Sequence, residues 1–221
     1  MNYVYDPSLV IYLPLDKLDG SSMMSQDAYG HLCTVTGALW TPQGRSFDGV
    51  DDYISTPDHA TLDGMPELTI VAWVNFAQLA ADKGEDITIV RKRHSESPYH
   101  TYLLWLESTN NKLRCQTIDG VGTTTITSDT ALTAGDLNTW MMVSIRYDGA
   151  TTYLYRDLTL LTSGTGSSGA LFNSNAFLYI GVSTSTNQNL KGIVGSVLIL
   201  RRDIGLPGLQ HIYLATKWRY Q

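Results

Sequence analysis

Short apolar runs rich in Val, Ile, Thr, Tyr and Trp follow one another from residue 9 to residue 201, each closed within roughly ten residues by Gly, Asp, Asn or Ser. Helical periodicity is nearly absent, so the chain reads as all-β. The runs are Leu9–Pro14, Leu32–Thr36, Arg45–Phe47, Tyr53–Thr56, Glu67–Phe76, Ile87–Arg91, Thr101–Glu107, Lys112–Gln116, Thr123–Thr127, Thr139–Tyr147, Thr151–Tyr155, Leu158–Thr162, Ala176–Val182 and Ile193–Arg201. So many short strands in one 221-residue unit point to a two-sheet antiparallel β-sandwich rather than a small barrel. Asp148-Gly149 marks a hairpin turn, and the strand before it alternates Val143, Ile145 and Tyr147 against Ser144 and Arg146. Leu68–Val74 and Tyr102–Leu106 are apolar on both faces, as central strands are.

Thr162–Asn175 and Ser183–Asn189 read as polar rim loops, and Leu79–Asp86 and Arg93–His100 as candidate recognition loops. Pro207 followed by apolar residues to Ala215 at helical spacing predicts one short C-terminal helix. Residues 1–7 form an N-terminal arm and 8–221 a single domain, long enough to bury a core without staples. Cys33 and Cys115 are accordingly expected as buried thiols.

A net charge of −6 disfavours nucleic acid as a partner. The one basic cluster, Arg91-Lys92-Arg93-His94, reads as a solvated strand end. No apolar stretch is long enough for membrane insertion. Leu9–Leu15 is broken by Pro14 and has no basic residue before it, so it does not read as a signal peptide. The expectation is synthesis in the cytoplasm.

Leu9-Val10-Ile11-Tyr12-Leu13-Pro14-Leu15-Asp16, Thr36–Trp40, Phe47-Asp48-Gly49-Val50-Asp51-Asp52-Tyr53-Ile54 and Leu68–Val74 together resemble the laminin-G-like, concanavalin A-like jelly-roll domains. Trp140–Gly149, Leu154–Asp157, Leu178–Gly181 and Gly192–Val197 continue the resemblance in order, to about residue 216. It implies a lectin-glucanase jelly roll, an architecture that hosts lectins, glycosidases, adhesion modules and virion proteins. It also implies core positions for Trp40, Trp73 and Trp140. Where that family has an Asp-Gly turn this chain has Asp157-Leu158, and Leu suits positive φ poorly, so a different turn is expected there.

Hydrolases on this fold need paired acids at alternate positions of one strand. The four glutamates, Glu67, Glu85, Glu96 and Glu107, provide no such pair, and adjacent Asp51 and Asp52 should diverge on an extended strand. The five histidines form no ligand or triad spacing. The reading is therefore no enzyme and no required cofactor. Calcium, common in relatives, is left with few acids, because Gly195 and Ser196 replace the carboxylates those relatives carry on the last long strand. Asp48, Asp51 and Asp52, with Asp16, are the acids that could still hold Ca2+.

Tyr99, His100, Tyr102 and Trp105 form the candidate ligand-binding set, a sugar platform on a central strand. Two functions remain from sequence. One is a surface-display or adhesion protein, a structural or decoration component of an assembled particle such as a phage or virus-like virion, with protein subunits as partners and Tyr3, Val4 and Tyr5 as its assembly arm. The other is a soluble carbohydrate-binding module that takes glycans.

Overall fold

The computed structural model describes residues 6–18, 20–93, 100–182 and 187–221. The arm residues Tyr3, Val4 and Tyr5, the candidate ligand residue Tyr99, and residues 183–186 of the second rim loop lie outside that set.

The strands are β1 (Leu9–Pro14), β2 (Ser22–Met24), β3 (Leu32–Thr36), β4 (Leu39–Thr41), β5 (Gly44–Asp48), β6 (Tyr53–Thr56), β7 (Leu68–Phe76), β8 (Ile87–Arg93), β9 (His100–Leu106), β10 (Lys112–Ile118), β11 (Thr123–Ala131), β12 (Trp140–Tyr147), β13 (Thr151–Arg156), β14 (Thr159–Thr165), β15 (Leu178–Ile180) and β16 (Lys191–Leu200). Two helices accompany them, α1 (Ala80–Lys83) and α2 (Gly205–Thr216). The first sheet runs β14-β13-β12-β7-β16-β5-β4, with β1 also paired to β16; the second runs β11-β10-β9-β8-β15-β6-β3-β2. All pairings are antiparallel, and the two sheets stack as a jelly-roll sandwich.

Alternation decides what fills the space between the sheets. Ile70, Ala72 and Val74 of β7, Val143, Ile145 and Tyr147 of β12, and Tyr102, Leu104 and Leu106 of β9 all join one buried cluster. Each such aliphatic side chain contributes roughly 1.5–3 kcal/mol on leaving water. The opposite face of β7 is equally apolar because α2 covers it. Val71 and Trp73 meet Leu209, Ile212 and Tyr220 in a second cluster, and Trp73 Nε1 donates to Thr216 Oγ1 at 2.8 Å. Asp203 Oδ1 accepts from Gly205 N at 2.9 Å at the start of that helix, and the same carboxylate is paired with Arg146.

Several sequence expectations are corrected here. β2 and β4 are three-residue strands, too short for alternation to show. The loop 79–86 contains α1, stopped by Gly84 at φ 77°. Thr162–Thr165 belongs to β14, and the rest of that loop is anchored: Ser167 Oγ donates to Thr117 O at 2.6 Å and Leu171 N to Met65 O at 2.8 Å. The cluster at Arg91 and Lys92 is no solvated strand end, since both side chains are buried; Lys92 shares the inward face with Tyr102, its cross-strand partner. Trp40 is exposed at the sheet edge, where its Nε1 donates to Asp16 O at 2.9 Å.

The β13–β14 turn also departs from expectation. Asp157 and Leu158 both adopt positive φ, 46° and 72°, closing a two-residue hairpin. What holds them is tertiary. Asp157 N donates to Met142 O and its Oδ1 accepts from Met142 N, at 2.9 and 2.8 Å, while Leu158 packs on the cluster beneath α2.

Cys33 and Cys115 are buried free thiols, and burial pushes both above the ordinary thiol value.

Candidate functional site

The outer face of the first sheet is covered by α2, so the face to consider is that of the second sheet. Its register places Ser55, Tyr179, Arg91, Leu103 and Gln116 in one row across β6, β15, β8, β9 and β10. Period 2 turns these residues away from the core because their neighbours Ile54, Leu178, Ile180, Val90, Leu104 and Cys115 fill it. Tyr53 meets Tyr179 edge to face, with ring centroids 6.0 Å apart, and Phe177 stacks on Tyr179 at 6.2 Å. Phe177 is exposed and the two tyrosines are half-buried. Burial and the neighbouring Tyr53 push the Tyr179 hydroxyl up, against the pull of Arg91, so it stays a neutral donor and acceptor.

Trp105 stands on the same face, opposite Arg114, whose guanidinium lies 5.0 Å over the indole ring. Arg114 also pairs with Glu107, so the acid nearest Trp105 is engaged. Such a surface can stack rings and exchange hydrogen bonds with hydroxyls.

Of the sequence-predicted ligand set, Trp105 is on this face, although nearly buried under Arg114. Tyr102 is not. Three residues along the strand, with opposite parity, it points into the core, and its hydroxyl has no partner among the described residues. His100 contributes its backbone to the start of β9, and Tyr99 lies outside the described residues. The set therefore does not converge. Sequence reasoning missed Tyr53, Phe177 and Tyr179, which come from segments more than a hundred residues apart; the only signal was aromatic residues at outward positions of short strands.

Asp48, Asp51 and Asp52 do come together, each offering an oxygen within 4.8 Å of the others. The expected divergence of Asp51 and Asp52 fails because Asp51 lies in a bend, not on a strand. Two of the three carboxylates serve the turn: Asp48 Oδ1 accepts from Val50 N and Asp52 Oδ2 from Asp48 N, both at 2.8 Å. Burial raises the Asp52 carboxyl, and repulsion from Asp48 and Asp51 raises it further, although the Asp48 N–H opposes this. Asp16 stands apart, bound to Arg219 at 3.3 Å. On the last long strand, Gly195 lies at a bulge where an added Cβ would come within 2.2 Å of the Tyr220 ring. An acid at that position has no room.

His31 and His59, without a shared motif in sequence, stand with ring centroids 4.8 Å apart and both contact Thr61 Oγ1, at 3.1 and 2.9 Å. His59 also accepts from Thr61 N and caps the turn Ala60–Leu62, and burial holds the His31 imidazole below its usual range. These histidines close a recess of about 270 Å³ beside Asp58.

The sequence profile of the concanavalin A-like lectin/glucanase superfamily, laminin G type, matches residues 48–205. No curated protein matches the sequence. Among solved structures, the binding domain of botulinum neurotoxin serotype D superposes with a TM-score of 0.74 at 12% identity, covering 94% of this chain and 51% of that one. The binding domain of Paraclostridial Mosquitocidal Protein 1 gives 0.74 at 12% identity, covering 94% and 52%. The Trypanosoma rangeli sialidase in complex with 2,3-difluorosialic acid gives 0.75 at 17% identity, covering 98% and 34%. The chain thus spans about half the length of the toxin binding domains and a third of the sialidase. Identities this low speak to the fold.

Proposed function

Since the chain belongs to the concanavalin A-like lectin/glucanase superfamily, we propose that it is a glycan-binding adhesion module that works by binding rather than by catalysis. The observation that carries this reading is the outward aromatic group Tyr53, Tyr179 and Phe177, with the Trp105–Arg114 pair on the same face, which α2 leaves open. Rings there can meet the C–H faces of sugars, while the tyrosine hydroxyls supply hydrogen bonds. The sialic-acid complex of a neurotoxin binding domain of similar fold lends this support by analogy. A glycan array followed by calorimetry on the hits tests it. Tyr53→Ala and Tyr179→Ala should each weaken binding about tenfold, roughly 1.4 kcal/mol, without moving the melting curve. Absence of any glycan ligand, or affinities untouched by both substitutions, overturns the reading.

A second reading places the module on an assembled particle, such as a virion surface, and sheet edges favour it. Met24 on β2, Leu39 and Trp40 on β4, and Leu160 on β14 are exposed apolar side chains on edge strands, where neighbouring chains can pair. Removing residues 1–7 would then weaken attachment while leaving the sandwich folded. A monomeric native protein with no particle association ends this second reading.

A further inference from the structure

On the opposite side of the sandwich, α2 does not close completely onto the first sheet. A recess of about 260 Å³ remains between the helix, the start of β12 and the β13–β14 turn. Trp73 and Tyr220 form its buried rear wall, stacked at 4.6 Å. Trp140, tilted against Tyr220 at 4.7 Å, and Tyr213, stacked on Trp73 at 5.6 Å, are only half-buried at its sides. Trp140 Nε1 donates to Gln43 Oε1, so the polar edge of the indole is occupied and its ring face is what lines the recess.

The polar lining has both signs. Lys217 Nζ sits 5.6 Å over the Tyr213 ring. Asp157 also lines the recess, with one oxygen on Met142 N and the other 3.7 Å from Arg156. Burial raises the Asp157 carboxyl above the usual carboxylate range, against the hydrogen bond from Met142 and the charge of Arg156. Backbone strain gathers at the same place. Of the four non-glycine residues with positive φ among the described residues, Asp157 and Leu158 form the turn at the recess, and Asn138 precedes Thr139 on its rim. A left-handed Leu is strained, and such conformations persist where the surroundings fix them, often beside ligand sites.

We propose that this recess, bounded by Trp140, Tyr213, Asp157, Lys217 and Thr139, binds a single neutral pyranose ring, independently of the glycan face on the other sheet. Its volume is just below the usual range for ligand pockets, which leaves room for one ring and not a chain. A cationic ligand would face Lys217 and an anionic one Asp157. Hydroxyls, which both donate and accept, satisfy the two groups together, and the aromatic walls take the ring's C–H face.

The test is two-dimensional NMR of the full chain titrated with neutral hexoses, and with an amino sugar and a uronic acid as charged counterparts. A neutral hexose should shift the Trp140 indole N–H resonance, and the charged sugars should shift it less. Asp157→Asn, read at the Trp140 indole, and Trp140→Ala, read at the Thr139 and Tyr213 backbone amides, should each weaken the binding about tenfold or more, while Tyr179→Ala leaves it unchanged; Asn keeps an acceptor for Met142 N and tolerates positive φ. Melting curves of the two variants check that the fold survives. The proposal is overturned if no neutral hexose shifts Trp140. It is equally overturned if Tyr179→Ala removes the Trp140 shift while Asp157→Asn spares it, because the binding then belongs to the outer face of the second sheet.

Discussion

Lys92 Nζ lies 3.2 Å from Asp63 Oδ1, with both side chains shut away from solvent between the sheets. Asp58 Oδ1 approaches the same ammonium to 2.6 Å, and the carbonyls of Ser174 and Ala176 accept from it at 3.3 and 2.7 Å. The lysine thereby ties the end of β8 to the segment that leads into β15. Burial pushes the Asp63 carboxyl up and Asp58 pushes it further, while a hydrogen bond from Ser174 N and the Lys92 charge oppose. Removing the cation leaves a buried carboxylate without its partner. Lys92→Met should therefore cost about 3–5 kcal/mol in urea denaturation, and Asp63→Asn clearly less, since the amide oxygen can still accept from Ser174 N. A cost below about 1 kcal/mol for Lys92→Met would show the pair to be dispensable.

The β13–β14 turn makes a prediction in which two effects oppose. Leu158→Gly removes about 1–2 kcal/mol of left-handed strain but gives up a comparable amount of packing beneath α2, so its stability should stay within about 1 kcal/mol of the parent. Leu158→Val keeps an apolar side chain but puts a β-branched residue at φ 72°, and should be the worse of the two by about 2 kcal/mol. Equal stability of the two variants, by thermal or denaturant unfolding, would contradict the backbone argument.

Folding is expected not to depend on calcium. Asp48 and Asp52 already accept backbone N–H groups in their own turn, and three carboxylates fall short of the six to eight oxygens the ion takes. Chelator should leave the melting temperature unchanged. A drop of several degrees, reversed by calcium and abolished in Asp51→Asn, would establish a site at this turn.

Stability should fall in acid. Asp119 is held below the ordinary carboxylate value of 3.8 chiefly by the Ser168 N–H, and Asp136 chiefly by the Thr133 N–H. Stability from these groups is complete above 3.8 and is lost as pH falls through their depressed folded values. Asp52 and Asp157 are raised, first of all by burial, so their contribution runs the other way: complete below 3.8 and lost as pH rises through their folded values. Between neutrality and 4 these raised carboxyls gain stability while the depressed His31 loses it, so melting temperature should change little there and drop below 4. Asp119→Asn should blunt the acid drop, and absence of that drop would refute the assignment.

Much of this protein could be read along the chain, because alternation and turn chemistry act between near neighbours. Residues 140–147 and the Asp148-Gly149 turn show their register directly, as do the two-sided apolar β7 and the helix after Pro207. By itself the sequence determined the sandwich, its superfamily and the choice of Trp73 as a core residue. What it could not determine depends on partners far along the chain. Lys92 looks like part of a solvated basic run until Asp58, Asp63 and the carbonyls of residues 174 and 176 surround it. Leu158 looks wrong for positive φ until Met142 and the helix cluster hold the turn. Tyr102 and Trp105 look like one aromatic patch, but strand parity sends them to opposite faces, and Tyr53, Phe177 and Tyr179 meet only because β6 and β15 pair. Local preferences fix which way each side chain can point; only the packing of the two sheets and α2 decides which of those directions meets core, helix or open water.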